Sequence, residues 1–173
     1  SHGKIPYQFL IDNQFIPEYL KHNYCLTMEN ILKKIDEIFQ SVGNIRYLRI
    51  HGDCQLGNVL WNDAGPHIVD LDDSVMGPAI QDIWMFLSGT PVEKEKYLAK
   101  ILKGYREFYD FDMREVILIE TLRTLRMIQY SAWIANRWDD PAFPRAFPWF
   151  NTPNYWEEQL RNLQEQSQIL HEI

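Results

Sequence analysis

The chain has 173 residues, 46% of them hydrophobic, enough for one compact domain with a sizeable core. Seventeen Lys and Arg against twenty-four Asp and Glu give a formal charge of −7. That balance argues against nucleic acid or an anionic membrane as the main partner, because a phosphate-backbone binder needs surplus cations. No apolar stretch is long enough to span a bilayer, no N-terminal signal pattern is visible, and Cys25 and Cys54 are too few for a disulfide framework. A reduced, cytoplasmic setting is expected.

The chain opens Ser1-His2-Gly3 with no Met, read here as a cloning remnant or the start of a processed or partial chain, and residues 1–25 are expected to form a poorly defined lead-in. Met28, Ile31, Leu32, Ile35, Ile38 and Phe39 recur at helical spacing, with Thr27 placed as an N-cap and Gly43 just past the end. The period then changes. Tyr47–Ile50, Val59–Trp61 and Ile68–Leu71 are short, apolar and bounded by turn residues, which predicts three brief strands, the last two joined by a turn through Asn62 to Gly65. Beyond Pro78 the pattern is helical. Helices are expected from about Ala79 to Leu87, from about Val92 to Tyr109, and from beyond Asp112 to about Trp138. A Pro- and aromatic-rich loop, Asp139 to Phe150, precedes a final helix opened by Thr152-Pro153, a capping hydroxyl followed by Pro at the first helical position. The fold class is mainly α with a small β-hairpin patch (α+β).

Polar residues concentrate in that patch. His51-Gly52-Asp53-Cys54-Gln55-Leu56-Gly57-Asn58 is followed by a strand, a turn and Ile68-Val69-Asp70-Leu71-Asp72-Asp73. Phosphoryl transfer needs an oriented hydroxyl, a cation held against phosphates, and neutralisation of developing charge. An Asp in a loop can align the hydroxyl or accept its proton. An Asn five positions on, across a Gly-containing turn, can offer an oxygen to a metal, and a carboxylate from the adjacent hairpin can add the hard oxygen that magnesium prefers. Asp53, Asn58 and Asp70 meet these needs in order. Strand alternation would place Asp72 on the same face as Asp70, near the metal as an outer-sphere residue.

This pattern of His-Gly-Asp, four residues and Asn, followed by an apolar strand ending in Asp, resembles the aminoglycoside and choline kinase family. That family shares the catalytic core of protein kinases, whose loop reads His-Arg-Asp with Asn at the same spacing. Within it the chain is similar to the bacterial stress response kinase A branch of Ser/Thr protein kinases. The strings that carry this likeness are Leu48 to Cys54, Val69 to Asp73, Gly77 to Met85, Asp140 to Pro144 and Phe147 to Trp149. The resemblance runs from about Met28 to the C-terminus. It implies Asp53 as catalytic base, Asn58 and Asp70 as nucleotide-associated magnesium ligands, Asp82 as an anchor of the loop through backbone hydrogen bonds, and His51 as a loop-ordering residue. The implied cofactors are Mg2+ and ATP as phosphoryl donor.

The family also brings a strand Lys, a helix Glu and a glycine-bearing loop to the phosphates from a smaller N-terminal lobe. Lys4, Lys21, Lys33 and Lys34 lie on no suitable strand, and no Gly-rich turn precedes a helix before His51. Residues 1–173 are therefore expected to be the C-terminal, catalytic-loop lobe of a kinase-like phosphotransferase. The N-terminal lobe would be its missing partner, and the chain alone would transfer phosphate poorly or not at all. The expected acceptor is a protein Ser or Thr. The alternatives are a small alcohol of the aminoglycoside, choline or homoserine type, and a non-catalytic binding or regulatory role; the loop does not separate the first two. Neither nucleic acid nor membrane is an expected partner.

His51 and Cys54 have the spacing of a zinc pair, but two ligands do not close a tetrahedral site, and His22, Cys25 and His67 would join only by accident of folding. Cys54 is expected to be a small side chain buried beside the catalytic Asp, or, if exposed, an oxidisable thiol. Trp133, Trp138, Phe143, Phe147, Trp149, Phe150 and Trp156 are expected to tether a loop to the helices rather than to stack bases, and Arg123, Arg126, Arg137 and Arg145 to make surface ion pairs.

Overall fold

A computed structural model describes residues 3–173. The chain is mostly helical with two small antiparallel sheets, and it divides into two compact units. One is built from helices at the two ends of the chain, up to Ser41 and from Glu120 onward; the other runs from Val42 to Ile119.

In the first unit, α1 (Lys4–Asp12) and α2 (Glu18–Val42) are followed, much later, by α5 (Ile119–Asn136), α6 (Ala142–Ala146) and α7 (Pro153–Glu172). Residues 3–25 are thus well organised, unlike the ill-defined lead-in expected: Leu10, Ile16 and Tyr24 are buried. α2 starts ten residues before Met28, directly after Pro17, whose carbonyl accepts the amides of Leu20 and Lys21. Thr27 is consequently a buried mid-helix residue and not a cap. The buried faces of α2 and α7 meet through Tyr24 and Trp156, whose rings pack edge to face at 6.3 Å. Gln159 and Gln166 of α7 donate to Ser131 Oγ and Glu120 Oε2 of α5 at 3.0 and 2.9 Å. α7 opens as its sequence suggests, Thr152 Oγ1 accepting the Tyr155 amide. The aromatic loop folds onto this unit: Phe143 and Phe147 lie 5.3 and 5.9 Å from Trp133, while Arg137 covers the Trp133 ring and Arg123 pairs with Glu120.

The second unit carries the strands. β1 (Leu48–Ile50) pairs with β4 (Val75–Gly77), and β2 (Val59–Asn62) pairs with β3 (Gly65–Ile68), both antiparallel. β3 begins three residues earlier than the apolar run Ile68–Leu71 suggests. Asn62 Oδ1 accepts the Ala64 amide in the tight turn, and this fixes Asn62 opposite Gly65 and carries Pro66 and His67 into the strand. Pro66 is tolerated because β3 has a neighbour on one side only. α3 (Ile80–Ile83) continues as a single 3-10 turn, Trp84–Phe86, and α4 (Pro91–Tyr105) starts from a reciprocal Thr90–Glu93 capping box. A 3-10 segment, Met113–Leu118, takes the place of the first turns of the long helix expected after Asp112.

Candidate active site

His51, Asp53, Asn58, Asp70 and Asp82 all lie in the second unit, around the segment from the end of β1 to the start of β2. Gly52 sits at φ 88°, and a Cβ there would stand 2.3 Å from the backbone oxygen of Asp73. Only glycine satisfies both the left-handed backbone and that approach. The sharp turn it permits aims the amides of His51 and Gly52 at one carboxylate. Asp82, in the first turn of α3, accepts them at Oδ2 (2.7 Å) and Oδ1 (2.9 Å). Gln81, the residue before it, donates to the Gly52 carbonyl at 3.1 Å and accepts from Trp84 Nε1. Two consecutive side chains of α3 therefore grip Gly52 by both its amide and its carbonyl.

His51 is buried, and its ring joins two stretches of chain. Nδ1 accepts the Asp53 amide at 3.3 Å, so Nε2 carries the hydrogen and donates to the Val69 carbonyl at 2.9 Å. The Val69 amide in turn donates to the Asn58 carbonyl at 3.0 Å. With both polar groups of Val69 occupied, the next residue, Asp70, is set down beside the loop. Asp70 adopts φ 64°, a conformation that costs a non-glycine residue energy and that Asp tolerates better than most. Because the strand ends at Ile68, alternation does not extend through residues 70–72. Asp72 is therefore not put on the face of Asp70 by strand alternation, and Asp72 and Asp73 form an exposed turn.

Asn58 ends a 3-10 turn whose Gly57 and Leu56 face solvent. Its amide nitrogen donates to the Asp53 carbonyl at 2.9 Å and to Asp53 Oδ2 at 3.3 Å. That leaves Asn58 Oδ1 as the side chain's uncommitted acceptor. Gln55 Nε2 also donates to Asp53 Oδ2, at 3.0 Å, so the half-buried Asp53 carboxylate is oriented by two amides. Gln55 and Gln81 escape sequence reading, since neither belongs to a charged or periodic pattern; the one available signal is that each neighbours an Asp of the motif.

The donors suit a hard cation: an amide oxygen at Asn58 and an exposed carboxylate at Asp70. Among the described residues no group of three His, Cys, Asp and Glu side chains is placed to hold a metal. A cation here would keep positions for water and phosphate, as magnesium does. The zinc pairing of His51 with Cys54 finds no support, because both His51 ring nitrogens are already committed. Burial, then the carboxylates of Asp82 and Asp53, push the Cys54 thiol up to about 11, so it is an inert side chain. The sequence between Arg49 and Lys94 contains no Lys or Arg, leaving the site without a cation of its own along that stretch. Leu60, Trp61, Ile68 and Leu71 leave an apolar surface around the hairpin, Trp61 being 77% exposed.

The loop thus carries a carboxylate at Asp53 and an amide at Asn58, is locked to α3 by Asp82, and is followed by a second carboxylate at Asp70. Residues 14–119 match the phosphotransferase enzyme family, and the chain belongs to it. It is 43% identical over 167 residues to stress response kinase A of Salmonella choleraesuis and to the serine/threonine protein kinase RdoA of Salmonella typhimurium, and 42% identical over 172 residues to stress response kinase A of Escherichia coli K12. Each match covers 96% of this chain and 50% of the relative, so the chain spans about half the length of the curated relatives it matches. Among the described residues no helix is long and apolar enough to cross a membrane.

Proposed function

We propose that the chain carries the acceptor-activating, cation-holding lobe of an ATP- and magnesium-dependent kinase whose acceptor is a Ser or Thr hydroxyl of a protein. The observation that carries the reading is the orientation of Asn58. Its nitrogen is committed to Asp53, which leaves its oxygen as the available acceptor, while Val69, bonded to Asn58 and His51, ties the residue before Asp70 to the same loop. Asp53 orients the acceptor hydroxyl and takes its proton as the new bond to the γ-phosphorus forms and the bond to the departing ADP breaks. Asn58 and Asp70 are the residues that would hold magnesium. Magnesium bound there supplies charge neutralisation on the donor phosphates. His51 and Asp82 keep the loop in place and move no proton.

A protein acceptor is favoured by a relative that bears the name serine/threonine protein kinase. The exposed apolar surface at Leu60, Trp61 and Ile68 is where we place the packing of a nucleotide-gripping N-terminal lobe, which would supply the cations this stretch lacks. The 173-residue chain alone is accordingly a poor catalyst. Both cysteines are free thiols, in keeping with a reducing cytoplasm as its compartment.

The test uses a protein of the relatives' full length containing this chain, compared with its Asp53→Asn and Asp70→Asn forms. Transfer of the γ-phosphate is measured to a general protein substrate and to a panel of amino alcohols. The reading expects protein phosphorylation, with turnover reduced at least about a hundredfold in each variant and the melting temperature little changed. Wild-type turnover in Asp53→Asn would overturn it, and transfer to an amino alcohol alone would replace the acceptor.

A further inference from the structure

We propose that Glu115 is a positioning residue for the phosphotransfer loop, acting through α3; the inference rests on the role given above to Asp53. α3 has four residues, Ile80–Ile83, and one further 3-10 turn. A helix this short is not stable on its own. Its N-cap residue, Ala79, has no side chain with which to accept an amide, so the first turn has no local cap. Yet α3 carries the two side chains that fix the loop, Asp82 and Gln81. Whatever sets the position of α3 sets the position of Asp53.

Glu115 does so from 35 residues away in sequence. It is 2% exposed, and its Oε2 accepts the Ile80 amide at 3.0 Å, with the Ala79 amide as a second donor. The missing cap of α3 is thus a buried carboxylate from another part of the chain. That carboxylate is itself held firmly. The Glu115 amide donates to the Asp112 carbonyl at 3.0 Å, and the Asp112 carboxylate binds the Arg114 amide and guanidinium. Arg114 Nη2 continues to the Asn44 carbonyl at 3.0 Å, just before β1. Burial pushes the Glu115 carboxyl above the usual carboxylate range, the direction expected of a group whose desolvation is only partly offset by the amides it accepts. A run of hydrogen bonds therefore leads from Glu115 to the α3 amides, along one helical turn to Asp82, and on to the amides of His51 and Gly52.

A general structural cap would lower the stability of the whole unit; a positioning residue loosens the loop through Asp82 in particular. Amide hydrogen exchange by NMR on this chain separates the two, using Glu115→Gln, Asp82→Asn and the double variant. Glu115→Gln is close in shape and loses the charge. Exchange at His51 and Gly52 should accelerate about tenfold or more, the scale of one weakened charge-assisted hydrogen bond, while amides paired in the β2–β3 hairpin hold near wild type. The acceleration should largely vanish in the Asp82→Asn background, as coupling through Asp82 requires. In the full-length enzyme, Glu115→Gln should lower kcat about as much with nucleotide KM little changed.

Unaltered exchange at His51 and Gly52, or equal acceleration with and without Asp82, overturns the proposal; should Glu115→Gln not fold, Glu115→Asp is read by the same criteria. Loosened loop amides beside full turnover in Asp53→Asn would instead refute the role of Asp53 and leave the coupling intact.

Discussion

Alanine at Gly52 should damage the second unit severely, while alanine at Gly57, five residues along the same loop, should not. At Gly52 the residue must hold φ 88°, which costs a side-chain-bearing residue about 1–2 kcal/mol. Its Cβ would also lie 2.3 Å from the oxygen and 3.1 Å from the carbon of the Asp73 carbonyl, both backbone atoms that cannot rotate away. Relief requires shifting either the turn at Asp73 or the loop, and forced accommodation of this kind costs about 1–3 kcal/mol. Together these give roughly 2–5 kcal/mol. Around Gly57 nothing lies within 4 Å of the added Cβ, and its φ is not left-handed. There alanine should be neutral or stabilise by up to about 1 kcal/mol through the unfolded chain. Urea unfolding of the 173-residue chain, followed by circular dichroism, measures both. With a slope of about 1–3 kcal/mol per molar, Gly52→Ala should move the midpoint down by about 1 M or more. Equal midpoints for the two variants would refute the account of why the loop turns where it does.

Thr90→Ala removes the hydroxyl that accepts the Glu93 amide, and should cost the usual value of a lost cap, about 1 kcal/mol, in a thermal melt at neutral pH. The Thr90 amide, and then its hydroxyl, hold the Glu93 carboxyl below the ordinary carboxylate range. A depressed folded value contributes stability above the unfolded pKa of about 4.3 and loses it as pH falls through the folded one, so melts repeated below pH 4 should show a smaller wild-type advantage. Cys54, with its thiol raised from 9.0 to about 11, should be alkylated at pH 7.5 about a hundredfold more slowly than an ordinary thiol, and should react at once on unfolding, as read by mass spectrometry. Iodoacetamide labelling of native Cys54 at the unfolded rate would contradict its burial. The 173-residue chain mixed with ATP, magnesium and protein substrate should give phosphate transfer at least about a hundredfold below that of the full-length enzyme, the scale set by losing charge stabilisation of the phosphates.

The loop geometry was legible because it is local: Asp53 and Asn58 meet across five residues, and Gly52, which the turn requires, announces itself by type. Helix α7 was legible for the same reason, declared by Thr152-Pro153, and α4 by its helical spacing, although it ends at Tyr105 and not at Tyr109. What escaped depends on distant partners. β4 is three residues long, with Val75 and Met76 exposed, and exists as a strand because β1 lies beside it. The first turns of α2 are polar enough to pass for a lead-in until α7 covers Tyr24. Asp70 reads as a strand residue by spacing, but the hydrogen bonds of Val69 to Asn58 and His51 end the strand early and leave Asp70 with a left-handed φ. Gln81 and Glu115 act across 29 and 35 residues, a range at which no local pattern speaks.

In the proposed function the Asn58 oxygen and the Asp70 carboxylate hold one divalent cation beside Asp53. Titrating the isotope-labelled chain with Mn2+ in the presence of ATP, and following paramagnetic broadening by NMR, tests it most directly. Broadening should centre on the Asn58 side-chain amide and on the backbone amides of Asp53 and Asp70, and should disappear from that region in Asp70→Asn. Broadening that centres elsewhere, or that survives unchanged in Asp70→Asn, would contradict the claim.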